Sequence, residues 1–300
     1  MSTYKTVFDE EGASKLLAEL LNESDIKTKR LKGGEGSCAF SFAFDNQKLV
    51  LRVNSNGVEG YEKDKFAYDN FSSSHLPIPK VIKIGVKEDG LAYVITEEAS
   101  GITLDKLSKD EYIELAPKLV AVLDAINGVR LAGSGYGSWD KNGNAGYSTW
   151  QGYLKACITQ EPIVDTPKFY NQGLHDLTAQ KASSLFKYCP EERVLVHGDF
   201  GLDNTLCEGV NISSVIDWEG SLYGDRLRDI AWIDFWRNDD TVSKIYLKEH
   251  ENDKDLLLNF KERLECYKLL IGLSALWFFA FSNQEKSYAY AQELIEKLLN

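Results

Sequence analysis

The residues best suited to chemistry sit in one short stretch, LVHGDFGLDNTL, at positions 195–206. It carries His197, Asp199 and Asn204, the asparagine five positions after the aspartate, behind a short apolar run. Thirteen residues beyond Asn204 a second apolar run closes on Asp217, in VIDWEG. Carboxylate and amide oxygens are the donors magnesium prefers, and that ion usually takes one or two protein ligands and completes its shell with substrate phosphates and water. Asn204 and Asp217 suit that role, which leaves Asp199 to accept a proton from a substrate hydroxyl. Turn and capping duty is the competing reading, because Asp and Asn are frequent in turns. The spacing, the strand-like flanks and a glycine-rich turn upstream weigh against it.

That turn, LKGGEGSCAF, presents Gly33, Gly34, Gly36 and then Ser37 between two strand-like segments. Glycine lets the backbone approach a ligand closely, and successive N–H groups there can cradle phosphate oxygens. No GK[ST] follows, so this is not a Walker A loop, and a plain hairpin turn accounts for the glycines equally well. The next apolar strand, LVLRVN, carries Arg52. A cation among apolar strand neighbours needs a partner. A phosphate contact and an outward-facing surface position are equally good accounts of it. A pairing acid is expected from the following segment, GYEKDKFAYDNF, with Asp64 first and Glu62 or Glu59 as alternatives.

Elements must position these groups. Residues 11–21 have the spacing of an amphipathic helix. Apolar residues then alternate at Phe40, Phe42 and Phe44, Asp45-Asn46 reads as a turn, and a second apolar run covers 49–53. A helix is expected over 59–71, closed by LPIP at 76–79, because proline disfavours helical geometry in the residue before it. Strands are expected at 80–86 and 91–98 around the turn 87–90. After Gly101 the pattern turns helical over 108–127, with Pro117 expected as an irregularity. A Gly/Ser/Trp-rich loop is expected at 132–146, helix from Thr149, short strands at 193–196 and 214–216, and helices beyond Asp229. A β-rich part, 1–98, thus precedes a mostly helical part, 99–300, with a ligand cleft expected between them.

Composition narrows the class. A hydrophobic share of 43% with 27% charged residues is that of an ordinary globular chain. The net charge of −12 repels nucleic acid and anionic lipid and attracts cationic small molecules, although acidity for solubility is the plainer account. Five cysteines, scattered and never in CxxC spacing, fit buried thiols in a reducing cytoplasm rather than disulfides or a zinc site. The longest apolar run, LLIGLSALWFFAF at 269–281, is too short for a membrane span and reads as a buried helix. The opening MSTYKTVFDEEG lacks the pattern of a secretory signal.

The order of glycine-rich turn, strand arginine, HGDxxxxN and IDW resembles the aminoglycoside phosphotransferase family, whose fold is similar to that of the eukaryotic protein kinases with their HRDxxxxN and DFG. FSF, LRVNS, LPIP, GITL, STW and VIDWEGSLYGD resemble the hygromycin-type branch of that family. The likeness covers most of the chain and thins after about Trp236. It implies an α+β, two-lobed, protein-kinase-like fold with a small β-rich N-lobe and a larger helical C-lobe. It implies transfer of the γ-phosphate of ATP or GTP, with Mg2+, to a hydroxyl of an aminoglycoside or aminocyclitol antibiotic, hygromycin B first.

Residue by residue, the likeness makes Asp199 the catalytic aspartate and Asn204 and Asp217 the magnesium ligands. Gly33, Gly34, Gly36 and Ser37 would cover the phosphates. Arg52, paired with Asp64, would stand where most relatives carry a lysine on the α- and β-phosphates, and the two cations are not equivalent in a tight ion pair. Backbone groups near Thr96 to Ala99, with Thr96 and Glu98 named first, would meet the purine. His197 would brace the catalytic loop and Asp229 anchor it. A cationic acceptor would welcome acids and aromatics, for which Glu219, Asp234, Asp239, Asp240 and Trp236 are candidates, with Trp139, Trp150 and Trp232 as further stacking platforms. Tryptophans are more often core, and exposed acids more often solvated surface. The partners expected are thus a nucleotide and a small cationic antibiotic, with no nucleic acid, membrane or obligate protein partner. Two other readings keep the fold: a kinase of a small metabolite such as a sugar, choline or methylthioribose, and a nucleotide-binding pseudokinase. Arg52 sustains the pseudokinase reading, and the presence of Asp199, Asn204 and Asp217 argues against it.

Overall fold

A computed structural model describes residues 6–31, 36–159 and 166–300. The chain divides into two units, one holding residues up to 102 with 206–208 and 213–219, the other holding 103–205, 209–212 and 220–300. Asp217 and Glu219 therefore belong to the first unit, although they follow the catalytic-loop motif in sequence. Local bonds explain this: Ser213 Oγ donates to Ser100 O at 2.6 Å and the Val215 N–H to Pro77 O at 2.8 Å.

The first unit opens with α1 (Glu10–Leu21), whose N-terminus is capped by Asp9 accepting from the Gly12 N–H at 2.8 Å. There follow β1 (Thr28–Arg30), β2 (Cys38–Phe44), β3 (Gln47–Asn54), α2 (Glu59–Phe71), β4 (Val81–Val86) and β5 (Ala92–Glu97). The strands form one antiparallel sheet in the order β1-β2-β3-β5-β4. Asp45 and Asn46 both take positive φ (48° and 60°) and join β2 to β3 by a two-residue turn whose hand matches strand twist. Period-two alternation then sorts the residues of β3. Leu49, Leu51 and Val53 pack with Phe40, Phe42 and the α1 residues Leu16 and Leu17. Val50 and Arg52 fall on the other face, where Tyr61 of α2 packs with Val81, Ala92 and Val94. Helix α2 stops at Phe71, not at the LPIP segment. Ser72 is already extended, and a reciprocal pair of bonds between Ser73 and Leu76 turns the chain before the first proline.

The second unit begins around the short β6 (Ile102–Thr103) and continues into α3 (Lys109–Asn127), which starts in a capping box between Ser108 and Glu111. Pro117 lies inside α3, which covers nearly all of the expected 108–127. The helix runs through because its buried stripe, including Ala116, Leu119 and Val120, continues past the proline. Next come β7 (Tyr136–Trp139), β8 (Ala145–Tyr147), α4 (Trp150–Cys157), α5 (Gln172–Leu185), β9 (Val194–Val196), β10 (Thr205–Glu208), β11 (Asn211–Val215) and β12 (Leu222–Gly224), with 206–208 of β10 and 213–215 of β11 belonging to the first unit. The expected loop at 132–146 is largely the β7–β8 hairpin. Gly135 and Gly137 sit at φ 81° and 83°, and a Cβ on Gly135 would fall 2.1 Å from the Ala145 carbonyl oxygen, so the glycines that suggested a loop are what let the strands approach. The sheet order is β8-β7-β12-β9.

The chain ends in α6 (Leu227–Arg237), α7 (Thr241–Glu249), α8 (Phe260–Phe281) and α9 (Glu285–Leu299). Helix α8 packs on α5, α6 and α9. It is longer than the apolar run 269–281 suggested, because residues 260–268 continue it with a buried Arg263. Its length and composition alone would suffice to cross a membrane, but 56% of its most apolar window is buried inside the unit, the behaviour of a core helix. Trp139 and Trp150 are also core, 2% and 0% exposed, with Trp150 Nε1 donating to Tyr267 Oη at 3.0 Å, so neither is a stacking platform.

Candidate active site

In the second unit, β9 delivers the chain into the loop 197–204. His197 is wholly buried, and Gly198 and Gly201 take φ values of 84° and 105°. A side chain at Gly198 would collide with the Gly220 carbonyl, so glycine is required there. Buried Asp229, near the start of α6, accepts the N–H of His197 and of Gly198 at 2.8 Å each. His197 Nδ1 accepts the Asp199 N–H at 3.3 Å, which makes Nδ1 the unprotonated nitrogen. The Asn204 N–H returns to Gly201 O at 2.8 Å, and Asn204 Nδ2 donates to Asp199 O at 3.1 Å and to Asp199 Oδ2 at 2.8 Å. The loop is thus pinned at its entrance by a carboxylate and closed at its exit by an amide that grips the Asp199 carboxylate. Burial pushes the Asp229 carboxyl up to about 6, against the pull of the two N–H groups and Arg228.

In the first unit, Arg52 and Asp64 form an ion pair between β3 and α2, as the spacing anticipated; Glu59 and Glu62 are not the partners. Arg52 also lies over the Tyr61 ring, 5.2 Å from its centroid. Burial opposes the guanidinium charge, yet Asp64 and Asp217 more than compensate and hold its pKa above the ordinary value. The other oxygen of Asp64 accepts the Trp218 N–H at 2.8 Å. One carboxylate therefore ties the strand arginine to the turn that carries Asp217. That turn is unusual: Asp217 has φ 65°, a left-handed conformation uncommon for a residue with a Cβ. Trp218 fills the space beneath, buried against Phe71. Burial, joined by the Asp64 charge and resisted by Arg52, pushes the Asp217 carboxyl up to about 6.

Asn204 and Asp217 each carry a donor atom of the kind a hard cation takes. Asn204 commits its amide nitrogen to Asp199, which leaves the amide oxygen as its donor atom, and Asp217 offers a carboxylate that pays a desolvation cost until a cation meets it. These two residues belong to different units.

The remaining expectations fall out unevenly. Gly33 and Gly34 lie outside the described residues. Gly36 accepts a hydrogen bond from Thr6 Oγ1 at 2.9 Å, and a side chain there would meet only ordinary contact, so the local fold does not demand glycine. Ser37 precedes β2 and is half-buried. Thr96 is buried in β5, in register with Val50 and Val81. The Glu98 N–H is spent on Lys48 O at 3.0 Å, so Glu98 has its carbonyl rather than its N–H to offer a purine. Glu219 is exposed, in the first unit. Asp234 is buried, with Lys268 Nζ at 3.5 Å, and lines a cavity of about 370 Å³ that Lys297 also lines. Asp239, Asp240 and Lys268 line it too, so three acids face two lysines there. Trp236, two positions on, points away from Asp234 by helical geometry and packs with Trp232, Phe235 and Phe279.

Two features escaped the sequence. Lys63 of α2 is buried and donates to the Glu219 carbonyl oxygen at 2.6 Å; its place one residue before Asp64, on the stripe with Gly60 and Ala67, was a usable signal. The partners of Asp225, an aspartate that itself matches the family's GD…D pattern, were the second: it is held wholly buried by Arg263 Nη2 at 2.6 Å and Nε at 2.8 Å and by Tyr267 Oη at 2.6 Å, a network of residues some 40 positions apart with no local signal.

Comparison with known proteins finds similar chains and folds. A model of the phosphotransferase enzyme family (APH) matches residues 27–255. The chain is 34% identical over 261 residues to the Hygromycin-B 4-O-kinase of Escherichia coli, covering 83% of this chain and 73% of that protein. The crystal structure of aminoglycoside phosphotransferase APH(4)-Ia superposes with a TM-score of 0.82 at 31% identity, covering 96% of this chain and 97% of the other. A thermostable mutant of that enzyme, in ternary complex with AMP-PNP and hygromycin B, gives 0.81 at 30% identity, covering 95% and 97%. Aminoglycoside 2'-phosphotransferase-IIIa in its GDP complex, at 14% identity and a TM-score of 0.71 over 97% and 98%, shares the fold.

Proposed function

This chain belongs to the phosphotransferase enzyme family, and on that premise we propose that it transfers the γ-phosphoryl group of ATP or GTP to a hydroxyl of an aminoglycoside or aminocyclitol antibiotic, with hygromycin B the first acceptor to test. The fold is α+β and protein-kinase-like. In this reading the β-rich part, 1–98, binds nucleotide and 99–300 supplies the catalytic loop and the acceptor site, with Asp217 serving the nucleotide side. The protein works in the cytoplasm, where nucleotide and reduced thiols are both available.

Each residue has a role that its chemistry supports. Gly33, Gly34, Gly36 and Ser37 cover the phosphates. Arg52, held in place by Asp64, supplies positive charge to the α- and β-phosphates, and the backbone from Thr96 through Glu98 receives the purine. Asn204 and Asp217 would hold Mg2+, which when bound neutralises charge on the phosphate oxygens. Asp199 accepts the proton of the acceptor hydroxyl and orients that oxygen for in-line attack. Asn204, by gripping Asp199 Oδ2, restrains the carboxylate, while His197 and Asp229 hold the loop. Glu219 and Trp236 are the acceptor contacts we retain. Asp234, buried beside a lysine, is assigned to structure instead.

The observation that carries this reading is the bond from Asn204 Nδ2 to Asp199 Oδ2 at 2.8 Å within a loop whose backbone N–H groups end on a buried carboxylate. Such a loop presents one acid in one orientation, as a proton acceptor of a hydroxyl requires. The test is mass spectrometry of hygromycin B, other aminoglycosides, choline, methylthioribose and simple sugars after incubation with the purified protein, Mg2+ and ATP or GTP. A gain of one phosphoryl group on hygromycin B is the expected result. A gain confined to a metabolite would move the assignment to the metabolite-kinase reading, and nucleotide binding without any product would favour a pseudokinase.

A further inference from the structure

The first two turns of α2 grip the Asp217 turn at three points. Gly60 leaves room for it: a Cβ there would stand 2.8 Å from the Glu219 carboxyl carbon. Lys63 Nζ donates to the Glu219 carbonyl oxygen at 2.6 Å. Asp64 Oδ1 takes the Trp218 N–H at 2.8 Å. Two successive side chains of one helix thus hold a donor and an acceptor of two successive backbone residues, directly after a residue at φ 65°. Left-handed backbone at a residue with a Cβ persists where its surroundings over-determine it.

A lysine is a costly means to this end. Lys63 is 6% exposed, and burial pulls its pKa down to about 8 despite Glu219 and Asp64. An apolar side chain of similar volume would stabilise the same helix face without desolvating an ammonium. A buried charge directed at a main-chain carbonyl therefore points to a requirement other than packing.

We propose that Lys63 is a positioning residue for phosphoryl transfer: by strapping the Glu219 carbonyl to α2 it fixes the turn that sets the direction of the Asp217 carboxylate. This rests on the reading of Asp217 as a cation ligand. Asp64 gives the same helix a hold on Arg52, so α2 serves as a common frame for the strand cation and the aspartate. Groups that orient a metal ligand without touching the metal are commonly worth about 10–100-fold in metal affinity.

The test compares wild type with Lys63→Met and Lys63→Arg. Hydrogen exchange of residues 217–219 is followed in the absence of nucleotide, and Mg2+ half-saturation is measured for nucleotide binding, not turnover. Lys63→Met is expected to speed exchange of the Trp218 amide by about tenfold, as befits loss of a charged hydrogen bond next to it. It should also raise the Mg2+ half-saturation by about tenfold, with Lys63→Arg restoring most of both. A lower melting temperature with unchanged 217–219 exchange and unchanged Mg2+ half-saturation would make Lys63 purely structural and overturn the proposal. If Lys63→Met does not fold, Lys63→Gln is read in the same way. A wild-type protein whose nucleotide binding ignores Mg2+ overturns the reading of Asp217 and this proposal with it, whereas a Mg2+-dependent wild type with an indistinguishable Lys63→Met overturns this proposal alone.

Discussion

Asp229→Asn separates what a buried carboxylate costs from what it does. Asp229 is wholly buried and accepts the His197 and Gly198 N–H groups at 2.8 Å each. Its carboxyl is pushed up to about 6 by burial. Relative to an ordinary aspartate, keeping it ionised near pH 7.5 costs about 3 kcal/mol, and the amide removes that cost. On the other side, asparagine brings one acceptor oxygen and an NH2 group to a place where two donors converge. One backbone N–H loses its partner, at about 1–3 kcal/mol, and the surviving bond loses its charge assistance, at about 1 kcal/mol more. The two sides nearly cancel, so the melting temperature should move by only a few degrees, about 2–4 °C per kcal/mol for a chain of this order of size. Activity should not be spared. The orphaned N–H lies one or two residues before Asp199, and a displacement of about 1 Å in a reacting group can cost about 100-fold in rate. Hydrogen exchange at 197–198, thermal melting at pH 7.5 and turnover of phosphoryl acceptor report the three effects separately. Turnover within twofold of wild type, with the 197–198 amides as protected as before, would refute the idea that Asp229 sets the loop.

Other perturbations test the remaining joints. Asp199→Asn should abolish transfer while nucleotide titration stays close to wild type; near-normal turnover would remove Asp199 from the chemistry. Asp64→Ala leaves Arg52 and the Trp218 N–H without their shared acceptor, so we expect about 3–5 kcal/mol lost in denaturant melts, because breaking a buried pair strands the other charge. Asp234 is 2% exposed, and burial pushes it up to about 6 although Lys268 and Ser243 pull the other way. Its folded pKa thus exceeds its unfolded one, and the penalty is full above about pH 6 and fades as pH falls toward 4. Asp234→Asn should therefore stabilise the protein at pH 7.5 by about 1–3 kcal/mol and much less near pH 4.5, with loss of the Lys268 contact as the offset. A stabilisation that does not vary with pH would show that ionisation is not its source.

What the sequence by itself determined is local. Alternation at Phe40, Phe42 and Phe44 and again at Leu49, Leu51 and Val53 set the β2–β3 hairpin and placed Arg52 on the opposite face, since a period of two allows no other sorting. The helix 59–71 and the spacing of His197, Asp199 and Asn204 were equally readable, because each depends on neighbours a few positions apart; the Arg52–Asp64 pairing spans 12 positions, and the sequence ranked it first among three. The hairpin at 136–147 was hidden by its own glycines, which signal a loop and a close strand pair alike. Tertiary structure alone decided that 213–219 joins the first unit, that Asp229 receives the His197 and Gly198 N–H groups from 32 and 31 residues away, and that Asp225 is closed in by Arg263. It also decided which acids are buried, separating Asp234 from Glu219. The physical reason is common to all of these: desolvation and hydrogen bonding between distant segments depend on where folding carries the backbone, and no periodicity along the chain encodes that.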